Sequence, residues 1–203
     1  MRYLPTRGKA IGIAVLMLIL TTGSQAMTST SASDFQTPPP ETKQVPLHFV
    51  LHDFTAHCYN TLRCSVVYND HDFTIPFNDT PSTTPTTPDY RKNWGTASYL
   101  GIRAFPTPVE IKWTAKDGSM HQATVDFDKI FKDRLIWHKV PKSDMADFYS
   151  GPVAGDPDIF LEVNDHTVNV FMTMLIPTKT EQVIGNKNSD YRRDLLLAWT
   201  HTY

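Results

Sequence analysis

Eight histidines, two cysteines and two short acidic runs are the residues of this 203-residue chain whose types could do chemistry. A metal ion needs several imidazole nitrogens within about 2 Å of one point. His48 and His52 lie four apart in a stretch that alternates like a strand, which separates them by roughly 13 Å. A zinc site would have to recruit His57, His71 or His121 from other strands, and solvated surface imidazoles are the simpler reading. No metal or other cofactor is expected. Cys58 and Cys64 fall short of the four ligands of a structural zinc. In an oxidising compartment the pair reads as a disulfide closing a short loop, with two free thiols in neighbouring strands as the rival.

Asp70-His71-Asp72 and Gly155-Asp156-Pro157-Asp158 bring carboxylates together, and each can be drawn as an acid/base pair or a calcium loop. Both fall at expected turns, where Asp, Gly and Pro serve the backbone. There is no Gly-x-Ser-x-Gly elbow, and neither cysteine has the features of a thiolate nucleophile. No catalytic residue is assigned; an exported hydrolase with an acidic site near Asp156 is the alternative.

Strands must position whatever these residues do. Val109-Glu110-Ile111-Lys112-Trp113-Thr114 alternates strictly, Lys116-Asp117-Gly118 supplies a tight turn, and Ala123, Val125 and Phe127 resume the inward face. The stretch is a β-hairpin with Trp113 inward. Leu47, Phe49 and Leu51 alternate with His48, Val50 and His52 in a first strand ending near Phe54, and residues 64–68 pair back on it with the disulfide stapling the turn. Residues 73–77 and 135–140 are further strands, and 143–149 is a short helix with Ser143 as N-cap. Residues 158–163 and 167–175 flank Asn164-Asp165 as a second hairpin, and 195–199 closes the chain as a buried strand. About eight strands against one or two short helices define a mainly β, antiparallel, sandwich-like domain.

Arg2, Arg7 and Lys9 precede an uncharged apolar run at 11–20, and Ser24-Gln25-Ala26 carries small residues at −3 and −1. This is the pattern of a secretory signal peptide over residues 1–26, cleaved after Ala26, and the run is too short to cross a bilayer. Residues 27–44, rich in Thr, Ser and Pro, read as a flexible tether with polyproline at Pro38-Pro39-Pro40. Residues 45–203 form one domain. Removing the signal takes three of 19 basic residues and none of the 21 acidic ones, leaving a net charge of −5. That balance argues against nucleic acid or an anionic membrane as partner and leaves a protein open. Residues 79–89 form an exposed Thr/Pro loop entered through Asn78-Asp79-Thr80, a glycosylation sequon relevant only in a eukaryotic secretory route.

Trp94-Gly95, Pro108-x-x-Ile111-Lys112-Trp113, a turn, Val125-Asp126-Phe127 with Ile130, and Pro157-Asp158-Ile159 leading into a paired strand together resemble a group of small bacterial envelope proteins. These are often lipoproteins, and some act as periplasmic immunity proteins against lipase effectors of the type VI secretion system. The resemblance covers roughly half of the chain and rests on sheet-building features. The chain departs from the group in having Met27, not a lipid-bearing cysteine, after Ala26, and in its long polar tether. The resemblance implies a periplasmic or secreted protein that caps a toxin sterically, with no reaction of its own. Tyr90, Trp94, Tyr99, Asp156 and Asp158 are then the candidate contacts, although core packing is the first reading of Trp94, since large aromatics usually serve the core. A passive envelope or adhesion module is the other alternative.

Overall fold

The computed structural model describes residues 34–146 and 155–203, so the export signal expected over 1–26 lies outside them. Strand β1 (Leu51–Tyr59) turns His52, Phe54, Ala56 and Cys58 inward. A turn at Asn60, with φ of 57°, leads into β2 (Thr61–Tyr68). There follow β3 (His71–Asp72), β4 (Tyr99–Arg103), β5 (Val109–Ala115) and β6 (Met120–Val125), then β7 (Asp158–Asn164), β8 (Thr167–Thr173), β9 (Ile176–Pro177), β10 (Tyr191–Arg192) and β11 (Leu196–Thr202).

One sheet has the order β11-β8-β7-β1-β4, a second has β3-β2-β5-β6, and β9 and β10 form a separate ribbon. The domain is thus mainly β and sandwich-like, as expected. Every pair is antiparallel except β1 and β7, which run parallel from Asp53↔Asp158 to Tyr59↔Asn164. Inward side chains of the two larger sheets, among them Phe54, Val66, Ile111, Trp113, Leu161 and Val170, meet in one core. The expected hairpins at 109–125 and 158–173 both form, the first with Gly118 at φ 88°, a conformation that costs glycine least.

The cysteine pair is a disulfide with Cα atoms 6.4 Å apart, but it does not staple a hairpin. β1 and β2 belong to different sheets, so the bond links the two layers at the corner where the chain passes between them.

Other expectations are corrected. A bend at Val50 shifts the inward phase, so that Phe49 is buried but the next inward residue is His52, at 0% exposure. His52 hydrogen-bonds Tyr68 Oη at 3.0 Å among Phe54, Phe105 and Phe127. Burial lowers its pKa to about 4. His138 is also buried, with Nε2 3.0 Å from the Val45 carbonyl. These two are therefore not the surface imidazoles expected. Residues 135–140 are mostly buried extended chain that forms no strand, held by the bridge His48↔Leu135 and by Ile136 N–H donating to the Leu47 carbonyl, and 73–77 hold a 3-10 turn, Ile75–Phe77, in place of a strand. Pro76 lacks the N–H a strand would use. Of the helix expected at 143–149, residues 147–149 lie outside the described residues, and Met145 makes a bridge to Thr178. The Asn78 amide donates to Asp72 Oδ2 at 2.8 Å, so the nitrogen a sugar would use is engaged.

The stretch expected as tether is fastened from Asp34 onward. Phe35 bridges Trp199, Gln36 N–H donates to the Ala198 carbonyl, and helix α1 (Pro40–Gln44) starts on Pro40, whose ring presets the first turn. Thr42, fully buried, donates to the His138 carbonyl (3.0 Å) and accepts from its N–H (2.9 Å). The strap covers the β11 edge of the five-stranded sheet, which would otherwise offer unpaired backbone. A second short helix, α2 (Phe127–Ile130), is capped by Asp126, whose side chain accepts from Asp128 N–H.

Candidate binding cleft

Strand geometry sends alternate residues to opposite faces. On the outer face of the five-stranded sheet this sets Asp53, Thr55, His57 and Tyr59 of β1 beside Asp158, Phe160, Glu162 and Asn164 of β7. Thr173, Phe171, Asn169 and Thr167 of β8 complete the same rows. Mixed polar and aromatic rows of this kind would normally face water. Here residues 90–101 run across them and are fastened row by row. Asn164 Nδ2 donates to Tyr90 Oη (3.2 Å), Arg91 grips Glu162, Trp94 lies on Phe160, and Ala97 N–H donates to Asp158 Oδ1 (2.8 Å). Ser98 N–H then donates to Thr55 Oγ1, and Gly101 N–H to Asp53 Oδ1, each at 2.7 Å.

The central row is the most tightly bonded. Glu162 is 0% exposed and receives Tyr90 O–H at 2.5 Å, Arg91 Nη2 at 2.7 Å and Asn169 Nδ2 at 2.9 Å; Arg91 Nε reaches both oxygens at 3.2 and 3.3 Å. Thr200 Oγ1 in turn donates to Asn169 Oδ1 at 2.6 Å. Burial, then the carboxylate of Glu162, pushes the Tyr90 phenol up to about 12. A carboxylate with this many donors is committed to holding the loop. His57, stacked under Trp94 at 4.5 Å and 17°, has its pKa lowered to about 4 by burial, so it stands neutral at physiological pH. Trp94 donates its indole N–H to Tyr59 Oη at 2.9 Å and packs edge-on to Phe171 at 5.5 Å.

Beside Trp94 opens a cleft of about 440 Å³, lined by Trp94, Phe160 and Leu195 together with Arg91, Lys92 and Arg193 and the carboxylates of Asp89 and Asp194. Arg193 Nη2 spans its wall, donating to Asp158 Oδ2 (2.5 Å) and to the Gly95 carbonyl (2.7 Å). Lys92 pairs with Asp89 (3.1 Å) and Arg192 with Asp194 (3.0 Å), so the rim carries matched charges of both signs. A cleft of this build suits an apolar side chain flanked by polar backbone.

Of the candidate contacts, Trp94 lines this cleft, Tyr90 meets Trp94 edge-on at 6.3 Å but turns its hydroxyl onto Glu162 away from the lining, and Asp158 lies buried behind Arg193. Tyr99 is elsewhere, on β4 against His71 and Phe73, and Asp156 is exposed. Sequence reasoning missed Arg91, Glu162, Asn169 and Arg193. The available signal was a charged and an amide residue interrupting apolar strands, Leu161-Glu162-Val163 and Val168-Asn169-Val170, which must find partners if both faces are covered. Among the described residues, no group of three or more His, Cys, Asp or Glu is placed to hold a metal ion. No protein-family model, curated protein or solved structure matches the chain.

Proposed function

We propose that this protein is an extracytoplasmic binding protein that takes a segment of a partner protein into the cleft beside Trp94 and acts by occupying space. The observation that carries this reading is the fastening of residues 90–101. A loop bearing Tyr90, Arg91 and Trp94 is held rigid before any partner arrives, which removes much of the ordering cost of association. Aromatic and arginine side chains at a fixed concavity are also the usual anchors of protein interfaces. The disulfide fits an oxidising compartment, and a periplasmic or secreted address follows if the segment 1–26 is cleaved. Within this reading, the resemblance to immunity proteins makes a secreted toxic enzyme the partner class to try first, capped at its active site.

The test is complex formation between the oxidised protein and the secreted enzyme encoded by a neighbouring gene, followed by size-exclusion chromatography and inhibition of that enzyme. A 1:1 complex with loss of enzyme activity is expected. Leu195→Asp and Trp94→Ala should weaken it tenfold or more, about 1.4 kcal/mol. Leu195 is half-buried against the Ala97, Phe160 and Phe171 cluster, so the melting temperature of each variant is measured and binding is compared at a temperature where both are folded. Unchanged binding by both variants would remove the cleft from the interface, and absence of any complex would end the toxin-capping form of the proposal.

A further inference from the structure

At the end of the sandwich where the chain passes from β1 to β2 through Asn60, the turn between β5 and β6 meets the turn between β7 and β8, so a loop of each sheet touches the other. Trp113 Nε1 donates to the Asp165 carbonyl at 2.7 Å, and Lys116 N–H donates to Asp165 Oδ1 at 3.0 Å. His166 sits between the two turns with Nε2 3.2 Å from Asp117 Oδ2 and Nδ1 3.2 Å from Asp165 Oδ2. A neutral imidazole carries one N–H and could donate to only one of these carboxylates; the imidazolium donates to both. We propose that His166 is a proton-operated joint between the two sheets, tying the β5–β6 turn to the β7–β8 turn when charged and releasing Asp117 when neutral.

The groups facing His166 from each neighbouring element support the arrangement. From the β5–β6 hairpin come Asp117, Ser119 and His121. The Ser119 hydroxyl donates to Asp117 Oδ1 at 2.6 Å and lies 2.8 Å from His121 Nε2 and 3.2 Å from His166 Nε2. While His166 is charged it has no lone pair to accept a proton and the Ser119 hydroxyl donates to Asp117, so Asp165, His166 and Ser119 are held together as a clasp. His121 stacks on Trp113 (4.9 Å, 24°) and meets His166 edge-on at 5.3 Å. Lys116 turns its ammonium away to Thr84 Oγ1. From the chain terminus, Tyr203 N–H donates to the His166 carbonyl, and beyond the Tyr203 ring lies His201, paired with Asp34 at 2.9 Å.

The electrostatics give the direction. His166 is raised above its ordinary value, first by its bond to Asp165 and then by the charges of Asp165 and Asp117. Asp117 is held down at about 2, chiefly by Ser119. His121 is lowered, by burial and by the neighbouring His166. A histidine whose folded pKa is raised stabilises the fold fully below its unfolded value near 6.5 and loses that contribution as pH rises through the folded value. His121, whose folded value is lowered, works in the opposite window: its contribution is present above 6.5 and is lost as pH falls from 6.5 toward that lowered value, below which it charges beside His166.

The experiment is a titration of the oxidised protein from pH 5 to 9, following imidazole nitrogen and backbone amide signals by NMR. His166 should titrate above a free imidazole with both nitrogens protonated at low pH, and the amides of Lys116 and Ser119 should shift with the same midpoint. His166→Gln should abolish those amide shifts and lower the melting temperature by roughly 2 °C at pH 5.5 but not at pH 8.5, the size expected of one exposed ion pair in a domain of this length. Asp117→Asn should lower the midpoint of His166. His121→Gln should leave the amide midpoint near that of His166. Equal destabilisation by His166→Gln at both pH values, or Lys116 and Ser119 amides indifferent to the His166 titration, would overturn the proposal.

Discussion

Glu162 shows how one buried charge fixes the loop that bears the cleft. Its side chain is 0% exposed, whereas that of Arg91 is 33% exposed, so the pair is buried on one side only. Removing the guanidinium would leave an ionised carboxylate in the sheet's cover with only Tyr90 and Asn169 as donors. Arg91→Met should therefore cost about 2–4 kcal/mol of unfolding free energy, the lower part of the range for a broken buried pair because Arg91 keeps some solvent. Adding Glu162→Leu should restore at least half of that loss, since the second change removes the stranded charge. Urea unfolding of the four proteins in a double-mutant cycle measures both numbers. A cost for Arg91→Met below about 0.5 kcal/mol would mean that the loop is held by its ring contacts and not by this pair. Part of the site was legible here: Glu162 and Asn169 stand out as polar residues among apolar ones. Their partners were not, because Arg91 and Tyr90 lie about seventy residues away and nothing local connects them.

The elements whose register is set locally could be read from sequence, and those set by distant chain could not. In β5 the alternation of Val109, Ile111, Trp113 and Ala115 with Glu110 and Lys112 is the burial pattern itself, since one face is dry and the other wet. β7 and β8 are buried on both faces, so their apolar runs gave the strands but hid which face the cleft loop would cover. Residues 34–44 misled for the opposite reason. Their composition is that of a linker, yet Phe35 and Gln36 pair with β11 and a buried threonine docks the helix that follows. Thr42→Val keeps the shape but removes both bonds to the buried His138 backbone, and should cost about 1–3 kcal/mol. Thr42→Ser should recover most of it. Hydrogen exchange at His138 N–H checks the location of the effect, because global loosening would raise exchange throughout the core while release of the strap would raise it at His138 first.

At the scale of the molecule, the parallel pairing of β1 with β7 was not legible, because it joins residues more than a hundred positions apart and either strand edge could have accepted an antiparallel neighbour. The layer crossing at Asn60 was hidden by the same short loop that made a hairpin the natural reading of Cys58 and Cys64. The placement of the bond decides how much it stabilises. Two sheets already joined by continuous chain at that corner gain little from a second tie, because the loop it closes in the unfolded state spans only six positions of sequence separation. Chain-entropy reasoning gives roughly 2–3 kcal/mol for a loop of this size. The rest of the interlayer adhesion comes from the shared apolar core and from Trp113, which pairs with Cys64 across β2 and β5 and also donates to Asp165 on the other sheet. Replacing both cysteines with alanine should thus lower the unfolding free energy by about 2–3 kcal/mol. The dependence on urea concentration should be nearly unchanged and the strand signal in far-UV circular dichroism intact, because the surface exposed on unfolding stays almost the same. A broad, non-cooperative transition in the double variant would show instead that the two layers depend on the covalent link to stay packed.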